Sequence, residues 1–299
     1  MQNCRKLDPV NGREISLLNC IAVPRHDFPY VSLTDRVLTF ANRIAEGVSA
    51  EFPDKHLGFY AYSVYNAPPL SVKPHPNLII IYVGTDIDDW NSWNRFDNQM
   101  FWRPNVLLAH RRQIAPMDFS RPLFDKFRHI YNHGLIGTDI STCHHQWALK
   151  GLAYYVLTKA HWNPNAVDFD ALVNDYCRAG FGPAAGPIRD YFSALALISG
   201  DTSEKESSLV AAYTPERLET LQGCLDRARE AVRGQEDRSW LERVEFLQLG
   251  LDLATAQYDL HQNPDDANAK EHIRELLMKI YRENPLAVNA PLVAAYGKF

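Results

Sequence analysis

The order of apolar and polar positions predicts strands and helices in alternation along the first half of the chain. Residues 32–52, SLTDRVLTFANRIAEGVSAEF, begin with capping side chains and keep apolar residues at helical spacing, which predicts a helix. The members of this apolar face are Leu33, Val37, Phe40, Ile44 and Val48. Strands are predicted at LGFYAYSV (57–64) and NLIIIYVG (77–84). The second run is almost continuously apolar, which is typical of a strand covered on both faces of a parallel sheet.

Two further strands are predicted at NVLLAH (105–110) and LIGTDIST (135–142). A helix near SRPLFDKFRHIYNHG, with Gly134 as its C-cap, separates them, and WALKGLAYYVLTKAHW predicts the next helix. This alternation indicates an α/β fold with a parallel sheet. From about Asn165 onward only helical patterns occur, and Thr214-Pro215-Glu216 is a helix start with proline at the first helical position. We therefore predict an α/β part over residues 1–165 and a helical C-terminal region over residues 166–299.

The composition is that of an ordinary globular protein. Of 299 residues, 46% are hydrophobic and 22% charged, and the formal net charge is −5. This charge gives no reason to expect a nucleic-acid or anionic-membrane partner. No apolar run reaches the roughly 18 residues of a membrane span. The six Trp and fourteen Tyr suit a sugar-binding cleft or a large core. The polar N-terminus carries no signal peptide, so the localisation stays open, as does the oligomeric state.

Cysteine and histidine spacing gives no sign of a metal site or a cofactor. The five cysteines form no C-x-x-C pair, which argues against a zinc site or a disulfide framework. His144 and His145 are adjacent, and adjacent residues seldom chelate one ion. The sequence also contains no Gly-rich phosphate loop, no G-x-S-x-G elbow and no H-E-x-x-H helix. We therefore expect neither metal nor cofactor.

Each predicted strand ends in polar residues that can bind a ligand or take part in catalysis. In a parallel barrel these ends gather on one face, which holds the active site. Polar strand ends also face solvent in any α/β protein, so the pattern alone is weak. The candidates, in strand order, are Tyr62, Tyr65 and Asn66; Asp86, Trp90 and Trp93; His110 and Arg111; and Asp139 and His144.

For most of these residues the sequence leaves two interpretations open. Asp86 is either a glycosidase carboxylate or a helix-capping aspartate. Trp90 and Trp93 either stack on a sugar ring or belong to the core. Arg111 either binds an anionic group such as a uronic acid or forms a surface salt bridge. Asp139 directly follows a short buried strand, and it is the acidic residue that we most expect in a barrel mouth.

Several segments in the same order resemble a known family. They are DRVLTFANRIAEGV, HLGFYAYSVYNAPP, GLAYYVLTKAHWNPNAVDFDALVNDYC and GFGPAAGPIRDYF. Together they resemble domain of unknown function 4838, a glycoside-hydrolase-like family of bacterial proteins, from about Cys4 to Leu197. The resemblance implies a TIM-barrel region arranged as in α-glucuronidases and β-hexosaminidases, followed by helices. The substrates and catalytic residues of the family are unsettled, so the resemblance carries a fold and a reaction class rather than a mechanism.

The start of the chain departs from the family pattern. Family members carry a cysteine cluster of the type C-x-C-x-x-C before a K-L-D-like segment, whereas NCRKLDP begins here at residue 3. The resemblance then implies that the chain starts after the fourth barrel strand. The expected fold is the C-terminal half of a (β/α)8 TIM-like barrel, with about four parallel strands, and a helical region. On its own, such a half would be inactive or impaired in glycoside hydrolysis.

The resemblance implies a glycoside-hydrolase-like protein acting on a polysaccharide. Asp86 and Asp139 are then the candidate catalytic carboxylates, and the other candidates bind a carbohydrate substrate or ligand. A non-catalytic carbohydrate-binding or scaffold module would keep the same aromatic cleft without chemistry. A third alternative is an interaction protein whose function lies in the helices after residue 200.

Overall fold

The computed structural model describes residues 6–7, 14–15, 33–105, 115–140, 147–200 and 210–284. The chain divides into two compact units, which are described separately. The first comprises Met1–Val106 and His129–Ser141, and the second comprises Leu107–Arg128 and Thr142–Phe299. The predicted division between residues 165 and 166 stays a prediction.

A four-stranded parallel sheet forms the centre of the first unit. Its strand order is β3-β4-β5-β6, and neighbouring strands pair in parallel. A separate two-stranded antiparallel ladder joins β1 to β2. The bounds are β1 (Lys6–Leu7), β2 (Glu14–Ile15), β3 (Leu57–Ala61), β4 (Leu78–Tyr82), β5 (Gln99–Trp102) and β6 (Leu135–Thr138).

The two faces of the parallel sheet differ sharply in burial. Alternate residues of β3, β4 and β5 on one face are buried, each at most 5% exposed: Phe59, Ala61, Leu78, Ile80, Tyr82, Met100 and Trp102. On the opposite face, called here the open face, none of the described residues is buried: Gly58, Tyr60, Ile79, Ile81, Gln99, Phe101 and Gly137. A parallel sheet normally buries both faces, so the open face is unusual.

The third strand was predicted in the wrong place. The structure has β5 at Gln99–Trp102, inside a segment that the sequence pattern assigned to a connection. Its residues alternate between buried and partly or fully exposed, with Met100 and Trp102 in the core. The predicted strand at 105–110 falls almost wholly outside the described residues. The pattern failed because QMFW is short and follows a polar stretch, whereas NVLLAH is the more apolar run.

Two helices of the first unit precede strands of the sheet, α1 (Leu33–Glu51) and α2 (Ile87–Asn94). Helix α1 confirms the predicted helix, but the face expected to be buried is wrong. Phe40 is 67% and Ile44 46% exposed, while Leu38 and Ala45 are buried. Helix α2 was not predicted.

Polar side chains set the orientation of α1, which explains the exposed apolar face. Thr34 Oγ1 donates a hydrogen bond to the carbonyl oxygen of Ala67 at 2.9 Å. The Asp35 carboxylate accepts hydrogen bonds from the backbone N–H groups of Leu70 and Ser71. Farther along, Asn42 Oδ1 accepts from the N–H of His75 at 2.9 Å. Because these contacts clamp the loop between β3 and β4, they turn the apolar stripe of α1 outward.

The second unit is helical, as the pattern after about Asn165 predicts, and it also contains residues 120–128 of the helix predicted near SRPLFDKFRHIYNHG. Thr214 caps α7 through a side-chain hydrogen bond from the N–H of Arg217, with Pro215 at the first helical position. Helix α8 packs against α9 around Leu253, Ile273 and Leu277. The bounds are α3 (Ser120–Tyr131), α4 (Trp147–Ala160), α5 (Phe169–Phe181), α6 (Ala185–Gly200), α7 (Pro215–Ala231), α8 (Ser239–Gln262) and α9 (Ala267–Glu283).

The chain therefore has the predicted fold class. Four parallel strands in one sheet, followed by a helical region, are what half of a TIM-like barrel with a helical C-terminal part contains. The predicted C-cap Gly134 lies three residues after the end of α3 and has a φ of +84°, which favours glycine. Within the described ranges, no helix is long and apolar enough to cross a membrane.

Candidate functional site

The carboxyl ends of the four parallel strands lie along one edge of the sheet, and backbone pairing continues one residue past each strand end. The N–H of Val83 donates to the carbonyl oxygen of Ala61 at 2.9 Å. The N–H of Arg103 donates to Tyr82, and that of Asp139 donates to Trp102 at 3.0 Å. This ladder holds Arg103 and Asp139 at matching positions of β5 and β6. Arg103 follows Phe101 by two residues and Asp139 follows Gly137 by two, so both belong to the open-face side.

Arg103 and Asp139 form an ion pair at this edge. Arg103 Nε donates to Asp139 Oδ2 at 3.1 Å, with the two side chains 30% and 58% exposed. Arg103 Nη1 also donates to Asn105 Oδ1 at 3.2 Å. The guanidinium carbon lies 6.0 Å from the centroid of the Tyr60 ring, at the outer limit of a cation–π contact. We call Tyr60, Arg103, Asn105 and Asp139 the rim cluster.

The rim cluster combines the groups that a carbohydrate site uses. The guanidinium donates a hydrogen bond to the Asp139 carboxylate, and its planar donors also suit an anionic ligand. The exposed Tyr60 ring offers an apolar face next to these charges. A carboxyl group in such a position can serve as a base, a nucleophile or an acid. The arrangement therefore places one carboxyl group, one guanidinium and one exposed aromatic ring side by side.

Asp86, the other predicted catalytic residue, caps a helix. Its Oδ1 accepts from the N–H groups of Asp88 at 2.8 Å and Asp89 at 3.0 Å, at the N-terminus of α2. This is the helix-capping alternative left open by the sequence. The capping contacts therefore give the Asp86 carboxylate a structural role.

The acidic first turn of α2 has one carboxyl with a shifted pKa. Burial, followed by the negative charges of Asp86 and Asp88, raises the pKa of Asp89 from 3.8 to about 6. Raised carboxyl pKa values occur in active sites, and they also occur in structural clusters of like charge. Here the causes are local to the helix start, which favours the structural explanation.

This pKa shift predicts a pH-dependent stability. Between pH 3.8 and about 6 the folded chain binds more protons at Asp89 than the unfolded chain does, so folding stability falls as pH rises through this window. We expect an Asp89→Asn variant to gain about 1 kcal/mol over wild type between about pH 4 and 7, a value reduced because the side chain is partly in solvent. Urea denaturation at several pH values measures this difference.

Asp237 provides a control, because its pKa is shifted in the opposite direction to that of Asp89. A hydrogen bond from Ser239 lowers the pKa of Asp237, so its ionised form stabilises the fold as pH rises. The Asp237→Asn variant should therefore become less stable than wild type as the pH is raised. A pH-independent difference for Asp89→Asn would contradict the raised pKa.

The aromatic residues predicted to bind sugar separate into two groups. Tyr62 is 44% exposed at the end of β3, and Tyr65 and Asn66 are half-buried. Trp90 and Trp93 are fully buried. The core alternative therefore describes these two tryptophans, and no ring face is left for a sugar. They are not included in the proposed site.

The buried tryptophans nevertheless position the edge of the sheet. Trp93 Nε1 donates to the carbonyl oxygen of Asn66 at 2.8 Å, and its ring packs against Phe59. This contact ties α2 to the segment that follows β3. Between Tyr62 and Asn66, Ser63 has a φ of +54°, a conformation that is uncommon for a residue other than glycine. The indole therefore holds the turn that follows β3.

Several predicted residues have no structural test. His110, Arg111 and His144 lie outside the described residues, and their roles stay predictions. Within the ranges that the structure describes, no group of three or more His, Cys, Asp or Glu side chains could hold a metal ion.

Sequence reasoning missed Arg103 and Tyr60. Arg103 is the first residue after β5, as Asp139 is the first after β6, so a correct placement of the third strand would have identified it. Tyr60 lies within the strand predicted at residues 57–64 and was not named as a candidate. Its alternation with the buried Phe59 and Ala61 is the signal that could have put it on the opposite face.

One comparison with known proteins found a match. The model of the family described as "Domain of unknown function (DUF4838)" matches residues 1–194, which is more than half of the chain. No curated protein and no solved structure matches.

Proposed function

Since this chain belongs to the DUF4838 family, we propose that it is a glycoside-hydrolase-like protein whose rim cluster binds a polysaccharide with acidic sugars. Asp139 is the catalytic carboxylate of this proposal. Arg103 holds Asp139 and contacts the anionic group of the sugar, and Tyr60 and Tyr62 provide aromatic surface.

One observation carries the proposal: the Arg103–Asp139 ion pair, 3.1 Å long, at the carboxyl edge of a parallel sheet and next to an exposed tyrosine ring. Active sites of parallel barrels lie at this edge. The ion pair lies on the open-face side of the sheet. This face would line the interior of a closed barrel, and the carboxyl edge of the sheet would form the mouth of that barrel. Glycoside hydrolysis requires a second carboxyl across the scissile bond. No described residue is assigned that role.

The second candidate function is a carbohydrate-binding module without chemistry. It is favoured by the same observation, because a partly exposed carboxylate paired with arginine is also a good binding group for sugar hydroxyls. Both functions require the chain to bind a carbohydrate, so a binding measurement tests both together. Only the glycoside hydrolase also hydrolyses the carbohydrate, so a measurement of turnover distinguishes the two functions.

Arg103 gives the test of binding. We expect Arg103→Gln to weaken binding of an acidic polysaccharide such as polygalacturonate by at least about tenfold, since a charge-assisted hydrogen bond is worth about 1.5–3 kcal/mol. Binding of a neutral polysaccharide such as xylan should change less. Titration calorimetry with soluble oligosaccharides of both kinds measures the affinities.

The matched control is Arg233→Gln, which removes an exposed arginine paired with Glu230 in the helical unit. This variant should bind both oligosaccharides as wild type does. If wild type binds neither kind of sugar, the proposed function fails. If Arg103→Gln and Arg233→Gln behave alike, the rim cluster is not the binding site.

A further inference from the structure

The segment that follows β5 places two polar side chains on the same side of the sheet. Its residues are Arg103, Pro104 and Asn105, of which Pro104 is buried and the other two are partly exposed. A residue before proline is restricted to extended conformations, and successive side chains of an extended chain point in opposite directions. Arg103 and Asn105 therefore flank the buried proline on the open-face side, where Arg103 Nη1 donates to Asn105 Oδ1 at 3.2 Å.

This hydrogen bond fixes the orientation of the Asn105 amide group. A guanidinium group carries donors only, so the amide must present its oxygen to Arg103. The Asn105 Nδ2 group, with its two N–H donors, is then directed away from Arg103 Nη1. Among the described residues, no group accepts a hydrogen bond from this Nδ2. The side chain of Asn105 therefore offers donors to a ligand.

Arg103 has donors left at the same end of its side chain. Nε donates to the Asp139 carboxylate and Nη1 donates to Asn105, whereas Nη2 has no acceptor within the described ranges. The Arg103 side chain is 30% exposed, so solvent reaches the guanidinium group. Arg103 Nη2 and Asn105 Nδ2 are thus two donor groups that the Nη1–Oδ1 hydrogen bond holds next to each other.

Directed donors are important here because the charge of Arg103 is already balanced. Asp139 Oδ2 lies 3.1 Å from Arg103 Nε, and its negative charge offsets the attraction of the guanidinium for a second anion. Recognition of an anionic ligand then depends on hydrogen bonds of matching geometry. The planar donors of a guanidinium and an amide match the two oxygens of a carboxylate. The Tyr60 ring cannot make this distinction, because its apolar face suits acidic and neutral sugars alike.

We propose that Asn105 is the specificity-determining residue of the rim cluster, and that it binds the carboxylate of a uronic acid together with Arg103. Asn105 Nδ2 donates to one carboxylate oxygen, and Arg103 Nη2 donates to the other. A neutral sugar has at most one hydroxyl oxygen on the corresponding carbon, so it leaves one of the two donor groups without a partner. This role of Asn105 rests on the proposed function, which supplies the class of ligand.

Two variants of Asn105 in the complete chain test this role by titration calorimetry. Asn105→Ala removes the amide donors, and we expect its affinity for oligogalacturonides to fall about tenfold. Asn105→Asp keeps an oxygen for Arg103 but replaces the donors by a negative charge, so the loss should be at least about thirtyfold. The affinity for neutral xylo-oligosaccharides should stay within about threefold of wild type in both variants.

Asn174→Asp is the matched control, because Arg189 Nη1 donates to Asn174 Oδ1 at 2.7 Å in the helical unit. This variant makes the same exchange at a second arginine–asparagine pair, and it should bind both kinds of oligosaccharide as wild type does. Methyl-esterified oligogalacturonides are the control on the ligand side, since esterification removes the negative charge and leaves the sugar chain. Wild type should bind the ester at least about tenfold more weakly than the free acid, and both Asn105 variants should discriminate less between them.

The ratio of acidic to neutral affinity decides the test, because a structural role of Asn105 would lower both affinities alike. Equal losses for the two sugars, unchanged affinity for the free acid, the same loss in Asn174→Asp, or equal binding of acid and ester by wild type would overturn the proposal. Far-ultraviolet circular dichroism identifies an unfolded variant. If one Asn105 variant is unfolded, the other decides, and the esterified ligand needs no variant.

The same measurements distinguish failure of this role from failure of the proposed function. If wild type binds neither kind of oligosaccharide, the proposed function fails, and the role of Asn105 fails with it. If Arg103→Gln weakens binding of the acidic oligosaccharide and both Asn105 variants bind it as wild type does, only the role of Asn105 fails.

Discussion

An Asp139→Asn variant is expected to lose at least about a thousandfold in glycosidic turnover while keeping its affinity for the oligosaccharide within about threefold. The physical reason lies in the carboxylate of the rim cluster. Asparagine has nearly the same shape and still accepts a hydrogen bond from Arg103, so the binding surface is preserved. It cannot act as a nucleophile or take up a proton, so the chemical step is lost. The assay is the release of reducing ends from the oligosaccharide.

Asp86→Asn is the matched control, because it changes a second strand-end aspartate in the same way. Asp86 caps α2 through two backbone hydrogen bonds, and asparagine is also a good capping residue. Turnover should therefore stay within about threefold of wild type. A larger loss in Asp86→Asn than in Asp139→Asn would reverse the assignment. Binding without turnover in wild type would favour the carbohydrate-binding module.

Trp93→Ala is expected to lower the free energy of unfolding by about 3–5 kcal/mol, the usual range for removing a large buried aromatic side chain. The ring is fully buried against Phe59 and Phe96, so alanine leaves a cavity. The substitution also removes the hydrogen bond to the Asn66 carbonyl. Because α2 then loses its link to the segment after β3, the strained turn at Ser63 should loosen too. Urea denaturation followed by circular dichroism measures the change.

Two further variants separate the contributions. Trp93→Phe keeps an aromatic ring but lacks the indole N–H, so it should lose less than Trp93→Ala does. Trp162→Ala removes a tryptophan that is 87% exposed, and its effect should be within about 0.5 kcal/mol. A loss below about 1 kcal/mol for Trp93→Ala would contradict the core role of the indole.

Some secondary-structure elements were predicted correctly from the sequence and others were misplaced, and particular residues show why. The start of α7 at Pro215, after the cap Thr214, was read directly from three adjacent residues. Strand β4 was read from a single apolar run. In contrast, β5 was misplaced, and with it Arg103, because four residues carry too little periodicity to identify a strand. The sequence named Asp139 as a candidate, which stays a prediction, and missed Arg103, with which Asp139 forms an ion pair.

The sequence by itself determined the α/β order of the first half, the helices of the second half and the family to which the chain belongs. These features depend on capping, proline position and periodicity, which act within a few neighbouring residues. Only the tertiary structure decided that Trp90 and Trp93 are core, that α1 turns Phe40 and Ile44 outward, and that Arg103 meets Asp139. Burial and pairing depend on partners far along the chain, such as the loop clamped by Asp35, and local patterns carry no information about which partner arrives.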